Sequence, residues 1–266
     1  MARFAPVVPL AVASVLWDMN VLGNYHLLLA HDVLEHPMDY DSLYNRRLRK
    51  YSNVQDPRGP VVIMDNSVVE LGGAMTFKSV LLAAQSVNAD YLVCADAFLE
   101  SAATIQRSRK YAEEALEARH LGEYVPKLMG VVQGRTIAEC LSCADYFASN
   151  PQFEGIAIPR CLVPTLGSRT PLVIELYTRY GMRFQHWHLL GLSEDLLDDI
   201  CTARLPMIDG IDSAAPIRGA MNGVVFDING ADFGPRGDFW KAGNTQAWNA
   251  EGLIRTNLAL IRAQIA

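Results

Sequence analysis

The sequence predicts a single-domain (β/α)8 barrel over residues 1–266, and three observations carry that prediction. Short apolar runs recur along the chain, they have no polar face, and segments of helical spacing separate most of them. Strands that are apolar on both sides and alternate with helices belong to a parallel sheet covered by helices, because both faces must be buried. The runs are VVIMD (61–65), YLVCAD (91–96), KLMGVVQG (127–134), GIAIP (155–159), HWHLLGL (186–192), PMIDGID (206–212) and GVVFDI (223–228). One more near residues 8–17 brings the count to eight. Eight favours a closed barrel over an open doubly wound sheet, and no glycine-rich dinucleotide fingerprint follows an early strand. The length of 266 residues suits one barrel of about 250.

The expected helices are 76–88, 100–118, 136–149, 169–180, 193–203 and the amphipathic tail 247–265. Residues 31–60, HDVLEHPMDYDSLYNRRLRKYSNVQDPRGP, break the rhythm and read as an insertion ahead of the strand at 61. Long loops in compact domains tend to be functional.

Composition narrows the function classes. A net charge of −6 supplies no global basic field, so a nucleic-acid partner must be held by a local patch. The five scattered cysteines read as reduced thiols of a cytoplasmic protein. The apolar N-terminus is interrupted by two prolines and followed by Asp18, so it lacks the roughly 18 unbroken apolar residues of a membrane span and reads as the first strand region of a soluble fold.

In a barrel of this kind the reactive groups sit at the C-terminal ends of the strands. Here Asp65, Asp96, Gln133 and Asp212 each end an apolar run, so all four are expected at one mouth. A single such aspartate is often a helix N-cap; four polar groups at four strand ends make a site. Two carboxylates flanking one carbon suit displacement at an anomeric centre, one attacking and the other moving the proton. A third carboxylate and an amide suit the hydrogen-bonding edge of a guanine. The same groups would also serve a sugar hydrolase or a metal-dependent aldolase, so residue chemistry alone stops at a barrel enzyme with an aspartate-rich mouth.

Six motifs in order go further: MDNSVVELG (64–72), VCADAF (93–98), GVVQGR (130–135), GIAIPR (155–160), HLLGLSEDLL (188–197) and IDSAAPIR (211–218). Together they resemble the tRNA-guanine transglycosylase superfamily over residues 61–223, and the tail NLALIRAQI (257–265) is similar to its final helix. The short chain, the block NYHLLLAHDVLEH and DNSVVELG look most like the phage and bacterial DNA-guanine transglycosylases, which exchange guanine in DNA for a 7-deazaguanine base. The resemblance implies that Asp212, followed by Pro216 and Arg218 at the family's spacing, is the nucleophile and Asp65 the general acid/base. It implies a substrate-binding set of Asp96, Gln133, Gly134, Arg160 and Arg218. The implied partners are DNA, with tRNA as the alternative, and a free base such as 7-cyano-7-deazaguanine. No cofactor, metal or membrane is implied.

The departures from the family pattern are specific. Pro159, Arg160 and Cys161 stand where the tRNA enzymes carry Gly-Gly-Leu, and Pro159 has no N–H to donate. No cysteine follows Cys201, and Thr256 stands about where the histidine of the tRNA enzymes' structural zinc would be. Cys140 and Cys143 form a C-x-x-C without a second pair and read as core thiols. The alternatives are therefore a zinc-less tRNA enzyme and a non-catalytic paralogue. Asp209 reads as a structural hydrogen-bonding group, since its odd offset points it away from Asp212. His186 and His188 alternate on one strand and read as a satisfied pair in the core. Arg46, Arg47, Arg49, Lys50 and Arg58 are the expected phosphate contacts, with Tyr44 and Tyr51 beside them for stacking. Arg107, Arg109 and Lys110 read as ordinary surface.

Overall fold

Eight parallel strands, each too apolar to leave either face in water, curl into a (β/α)8 barrel. They are β1 (Arg3–Pro6), β2 (Tyr25–Leu29), β3 (Val61–Asp65), β4 (Tyr91–Val93), β5 (Lys127–Val131), β6 (Phe153–Pro159), β7 (His186–Leu190) and β8 (Gly210–Ser213). Hydrogen-bonded neighbours run in the order β1-β8-β7-β6-β5-β4-β3-β2, and β1 packs against β2 across the remaining gap. The computed structural model describes residues 1–48, 59–193, 196–227 and 239–266, with backbone only at 47 and 48.

Alternation along the strands splits the apolar residues into two cores. Ala5, Tyr25, Leu27, Ile63, Met129 and Ala157 fill the barrel interior. Their neighbours Phe4, Leu28, Val62, Leu128, Ile156 and Ile211 face outward and pack under the helices. Helices at Phe77–Ser86, Ser101–His120, Ile137–Ser149, Thr170–Tyr180 and Leu196–Ala203 match the expected segments within a few residues. Two of them start on a threonine whose hydroxyl accepts from the third residue on: Thr76 from Ser79 N, Thr136 from Glu139 N. The tail forms two helices, Asn244–Asn249 and Glu251–Ile265, and the second packs on β1 and on the helix Ala215–Met221.

Two of the eight expected strands are corrected. The run near 8–17 is the helix Leu10–Asp18, whose buried residues Val12, Ala13, Val15 and Leu16 have helical spacing. Residues 224–227 form no strand. There the Asn257 side chain takes the place of a sheet neighbour, accepting from Phe226 N and donating to the Val224 carbonyl. β8 has no free edge to offer, since β1 and β7 already flank it. The strands that complete the count are β1, with only four residues, and β2, whose YHLLL sits just ahead of the supposed insertion.

That insertion is the crossover from β2 to β3. It begins with helices Ala30–Glu35 and Pro37–Tyr40 and a π-helical segment Asp41–Leu48. Tyr44, expected to stack on a base, is buried against Tyr40 and His26. Among the described residues no helix is long and apolar enough to cross a membrane.

Candidate active site

Strand parity decides which polar side chains reach the mouth. Ile63 points into the barrel, so Asp65 two residues on does too. Met129 and Val131 set the same parity on β5, and Gln133 continues it past the strand end. On β8, Asp212 pairs in register with inward-facing Ala5. Asp65 and Asp212 meet around a cavity of about 620 Å³ that Asp96, Arg160, Arg218 and Trp240 also help to line, with Gln133 and Gly134 outside its lining. That volume lies within the roughly 300–1,000 Å³ of small-molecule sites.

Asp212 is held from two directions through one oxygen. Its Oδ1 lies 2.9 Å from His188 Nε2 and accepts from Gly191 N at 3.0 Å. Among the described residues Oδ2 accepts no hydrogen bond. The loop that offers Gly191 is itself anchored by the fully buried Arg169, which donates to the carbonyls of Ile158, Leu190 and Gly191 and pairs with Asp199. Asp199 in turn accepts from Ser193 N. Behind His188, the Tyr25 hydroxyl lies 2.7 Å from His188 Nδ1 and 2.7 Å from His186 Nε2.

Asp65 is the last residue of β3, and its Oδ2 accepts from Ser67 N at 3.0 Å. One hydrogen bond does not offset its loss of water. Burial, followed by the charge of Glu70 and then by those of Asp96 and Asp212, pushes its carboxyl up to about 8, against the single lowering contact from Ser67. Asp65 is therefore mostly protonated at neutral pH, in the same cavity as the hydrogen-bonded Asp212 side chain. Two aspartates in such different hydrogen-bonding surroundings share one cavity.

Asp96 lies three residues past β4 and is also raised by burial, while Gln133 and Asn66 pull it back. Gln133 Nε2 donates to Asp96 Oδ2 at 2.6 Å, and Asn66 Nδ2 lies 3.5 Å from Asp96 Oδ1. Gln133 is fully buried behind Asp96, and its Oε1 accepts from Leu99 N. Here it braces the Asp96 carboxylate. Gly134 is a close approach: a Cβ there would come within 2.7 Å of Cys140 N on the helix Ile137–Ser149. Arg218 reaches the cavity from the helix Ala215–Met221, which Pro216 opens. Arg160 follows β6, and its Nη1 donates to Leu192 O.

Asp209 lies outside this group, accepting from Trp187 N at 2.9 Å as a structural partner of β7. Arg107, Arg109 and Lys110 are exposed, as expected of surface, and Arg107 Nη1 also donates to the Asp96 carbonyl at 2.5 Å. In the basic run, Arg46 is exposed and pairs with Asp41 at 2.9 Å. The side chain of Arg47 and all of Arg49, Lys50, Tyr51 and Arg58 lie outside the described residues. Cys140 and Cys143 are buried on their helix, which pushes their thiols up to about 12 and 11. Among the described residues one group of metal-ligating type converges, Asp32, Glu35 and His36, and Asp32 also accepts from Tyr40.

His188, Asn66, Tyr25 and Gly191 are the participants that sequence reasoning missed. The alternation of His186 and His188 was the available signal for one of them. It could not name Tyr25, which is distant in sequence and whose hydroxyl only the closed barrel brings between the two rings. No family model matches the chain, and no curated protein matches it.

Proposed function

We propose that this barrel is a base-exchange transglycosylase that replaces guanine in DNA with a 7-deazaguanine. One observation carries the reading: Asp212, donor-held on Oδ1, and a protonated Asp65 share one cavity with the buried acceptor Asp96. Oδ2 of Asp212 attacks C1′ of the target nucleotide. As the C1′–N9 bond breaks, Asp65 gives its proton to the departing guanine, leaving a glycosyl ester on Asp212. The incoming base then loses its N9 proton to Asp65, N9 bonds to C1′, and the Asp212 ester is expelled as carboxylate. Atoms and charge balance, and the order is ping-pong. The target base must leave its stack for C1′ to reach Asp212.

The arrangement of Asp96 supports recognition of a guanine-like edge. Its carboxylate, oriented by Gln133 and Asn66, accepts from an N1–H and an exocyclic amino group. Arg160 and Arg218 supply positive charge on the cavity wall. The test is incubation of the pure protein with labelled guanine and either plasmid DNA or tRNA, with denaturing gels for a trapped protein–nucleic acid adduct. Label entering DNA supports the reading, label entering tRNA alone moves it to the tRNA enzyme, and label in neither with no adduct rejects it.

A further inference from the structure

The barrel interior below the mouth is unusual for its polarity. Tyr25, His186 and His188 are all buried there, and the Tyr25 hydroxyl touches both rings at 2.7 Å. We propose that Tyr25 is a positioning residue for Asp212, acting through His188. Its hydroxyl donates to His188 Nδ1, fixes that ring as the Nε2–H tautomer, and completes a one-way line of donors from His186 to Asp212 Oδ1.

Proton counting sets the direction. A tyrosine hydroxyl has one proton, so between two imidazole nitrogens it donates to one and accepts from the other. Suppose it donated to His186. His188 Nδ1 would then have to carry a proton, and a neutral His188 would aim the Nε2 lone pair at Asp212 Oδ1 from 2.9 Å. That oxygen already accepts from Gly191 N, so as a carboxylate oxygen it would meet the ring lone pair to lone pair. The opposite direction satisfies every contact with neutral rings: His186 Nε2–H to Tyr25, Tyr25 O–H to His188 Nδ1, His188 Nε2–H to Asp212.

The far end agrees. His186 Nδ1 lies 3.6 Å from Asp209 Oδ2, beyond hydrogen-bond length, and that oxygen accepts from Trp187 N. No hydrogen bond at Nδ1 therefore fixes the His186 tautomer, and the ring is free to carry its proton on Nε2. Burial, with His188, Arg3 and Lys127 adding to it, keeps this ring well below the ordinary imidazole range. Packing enforces the contact as well. Gly210 faces the Tyr25 ring so closely that a Cβ would fall 2.2 Å from it, and the Arg3 guanidinium covers that ring at 4.7 Å.

The kinetic consequence rests on the transglycosylase reading, whereas the tautomer rests on geometry alone. Two donors on Oδ1 leave Oδ2 as the attacking atom. They also favour the carboxylate over the ester when Asp212 must leave. Losing the Tyr25 hydroxyl removes the donor to His188 Nδ1, so the Nε2–H form is held from the Asp212 side alone and the ring loses its anchor behind the carboxylate.

The test is histidine-ring ¹⁵N and ¹³C NMR of the wild type at neutral pH, with Tyr25→Phe beside it. The expected wild-type spectrum has His188 neutral and protonated at Nε2. An Nδ1–H ring or an imidazolium overturns the proposal. In Tyr25→Phe that preference weakens, and kcat for exchange falls about 10- to 100-fold, the factor one charge-assisted hydrogen bond carries, with KM for the free base unchanged. Full kcat in the variant overturns the positioning role. If the variant does not fold, the wild-type spectrum decides alone. A wild type with the expected ring but no exchange activity rejects the transglycosylase reading and leaves the donor line standing.

Discussion

His188 Nε2 and Asp212 Oδ1 are 2.9 Å apart, the ring reaching the carboxylate from inside the barrel. Gly191 N donates to the same oxygen from the loop above, so Asp212 is gripped on one side. Asp212→Asn keeps the shape and an acceptor oxygen but cannot form the ester. It should fold normally, exchange no base and give no covalent nucleic-acid adduct. An adduct of wild-type yield in the variant would place the nucleophile elsewhere.

Asp65 carries a cost in stability that its chemistry requires. With a folded-state value of about 8 and an ordinary carboxylate value of about 4 when unfolded, the folded chain binds the extra proton between those limits. Stability from this group is thus full below about pH 4 and is lost as pH rises through about 8. Asp65→Asn removes the titration. Relative to wild type, the variant should gain stability progressively from pH 4 to 8 and hold the gain above, by about 1–3 kcal/mol once relaxation is allowed for. Exchange should be abolished, and wild-type kcat should decline above about pH 8 as the acid is lost. Denaturant melts across pH measure the first; a difference between the two proteins that stays flat from pH 4 to 8 would show that Asp65 is ionised throughout.

The parts legible in the sequence were those written in local patterning. Apolar runs ending in Asp65, Gln133 and Asp212 showed both the barrel and its polar mouth, because a two-residue strand period and a terminal polar residue are local signals. The strands β1 and β2 were missed for a physical reason: RFAP carries an arginine and a proline, and YHLLL is followed at once by a helix. The Asp96–Gln133 bond and the Tyr25–His188 bond join residues 37 and 163 positions apart, so only the closed sheet creates them. Neither the bond from exposed Arg107 to the Asp96 backbone nor the surface pair of Arg46 with Asp41 was written in the local pattern.

Asp96 is braced by Gln133 so that its carboxylate presents acceptors. Asp96→Asn replaces one acceptor with a donor that faces the donor edge of guanine and also the Gln133 amide. The loss should be about 2–4 kcal/mol in kcat/KM for the free base. Steady-state kinetics with the 7-deazaguanine measure it. An unchanged kcat/KM would mean that the base is read by other groups.

Gly210 sets the depth at which Tyr25 sits. An added Cβ 2.2 Å from the ring cannot be absorbed by a small rotation, because Arg3 lies over that ring and both histidines hold its hydroxyl. Gly210→Ala should destabilise the fold by about 1–3 kcal/mol, as overpacked cores do. It should also move the Tyr25 hydroxyl off the rings, so the surviving folded protein should lose kcat more than affinity for the base. Urea melts with kinetics on the same preparation give both numbers, and a variant equal to wild type in each would show that the interior is looser than this packing.

The polymer is the largest ligand in the proposed reaction, and a chain of net charge −6 must hold it locally. The mouth brings Arg160 and Arg218, and the crossover ahead of β3 adds the run at Arg46, Arg47, Arg49, Lys50 and Arg58. Arg46 is exposed, and its pair with Asp41 is a surface bridge of the kind worth about 0–1 kcal/mol, so a phosphate can displace the aspartate. Each phosphate contact releases counterions and adds about one unit to the salt slope of binding. Changing Arg46, Arg47 and Arg49 together to glutamine should therefore weaken polymer binding at every sequence and lower that slope by up to roughly 3. Free-base binding should stay as it is, because Arg46, the described member of the run, is not part of the cavity wall that holds the acids. Salt titrations of wild type and triple variant on DNA and on tRNA separate the cases. An unaltered slope assigns the run to ordinary surface, and tighter, productive binding to tRNA overturns DNA as the substrate while leaving the chemistry at Asp212 in place.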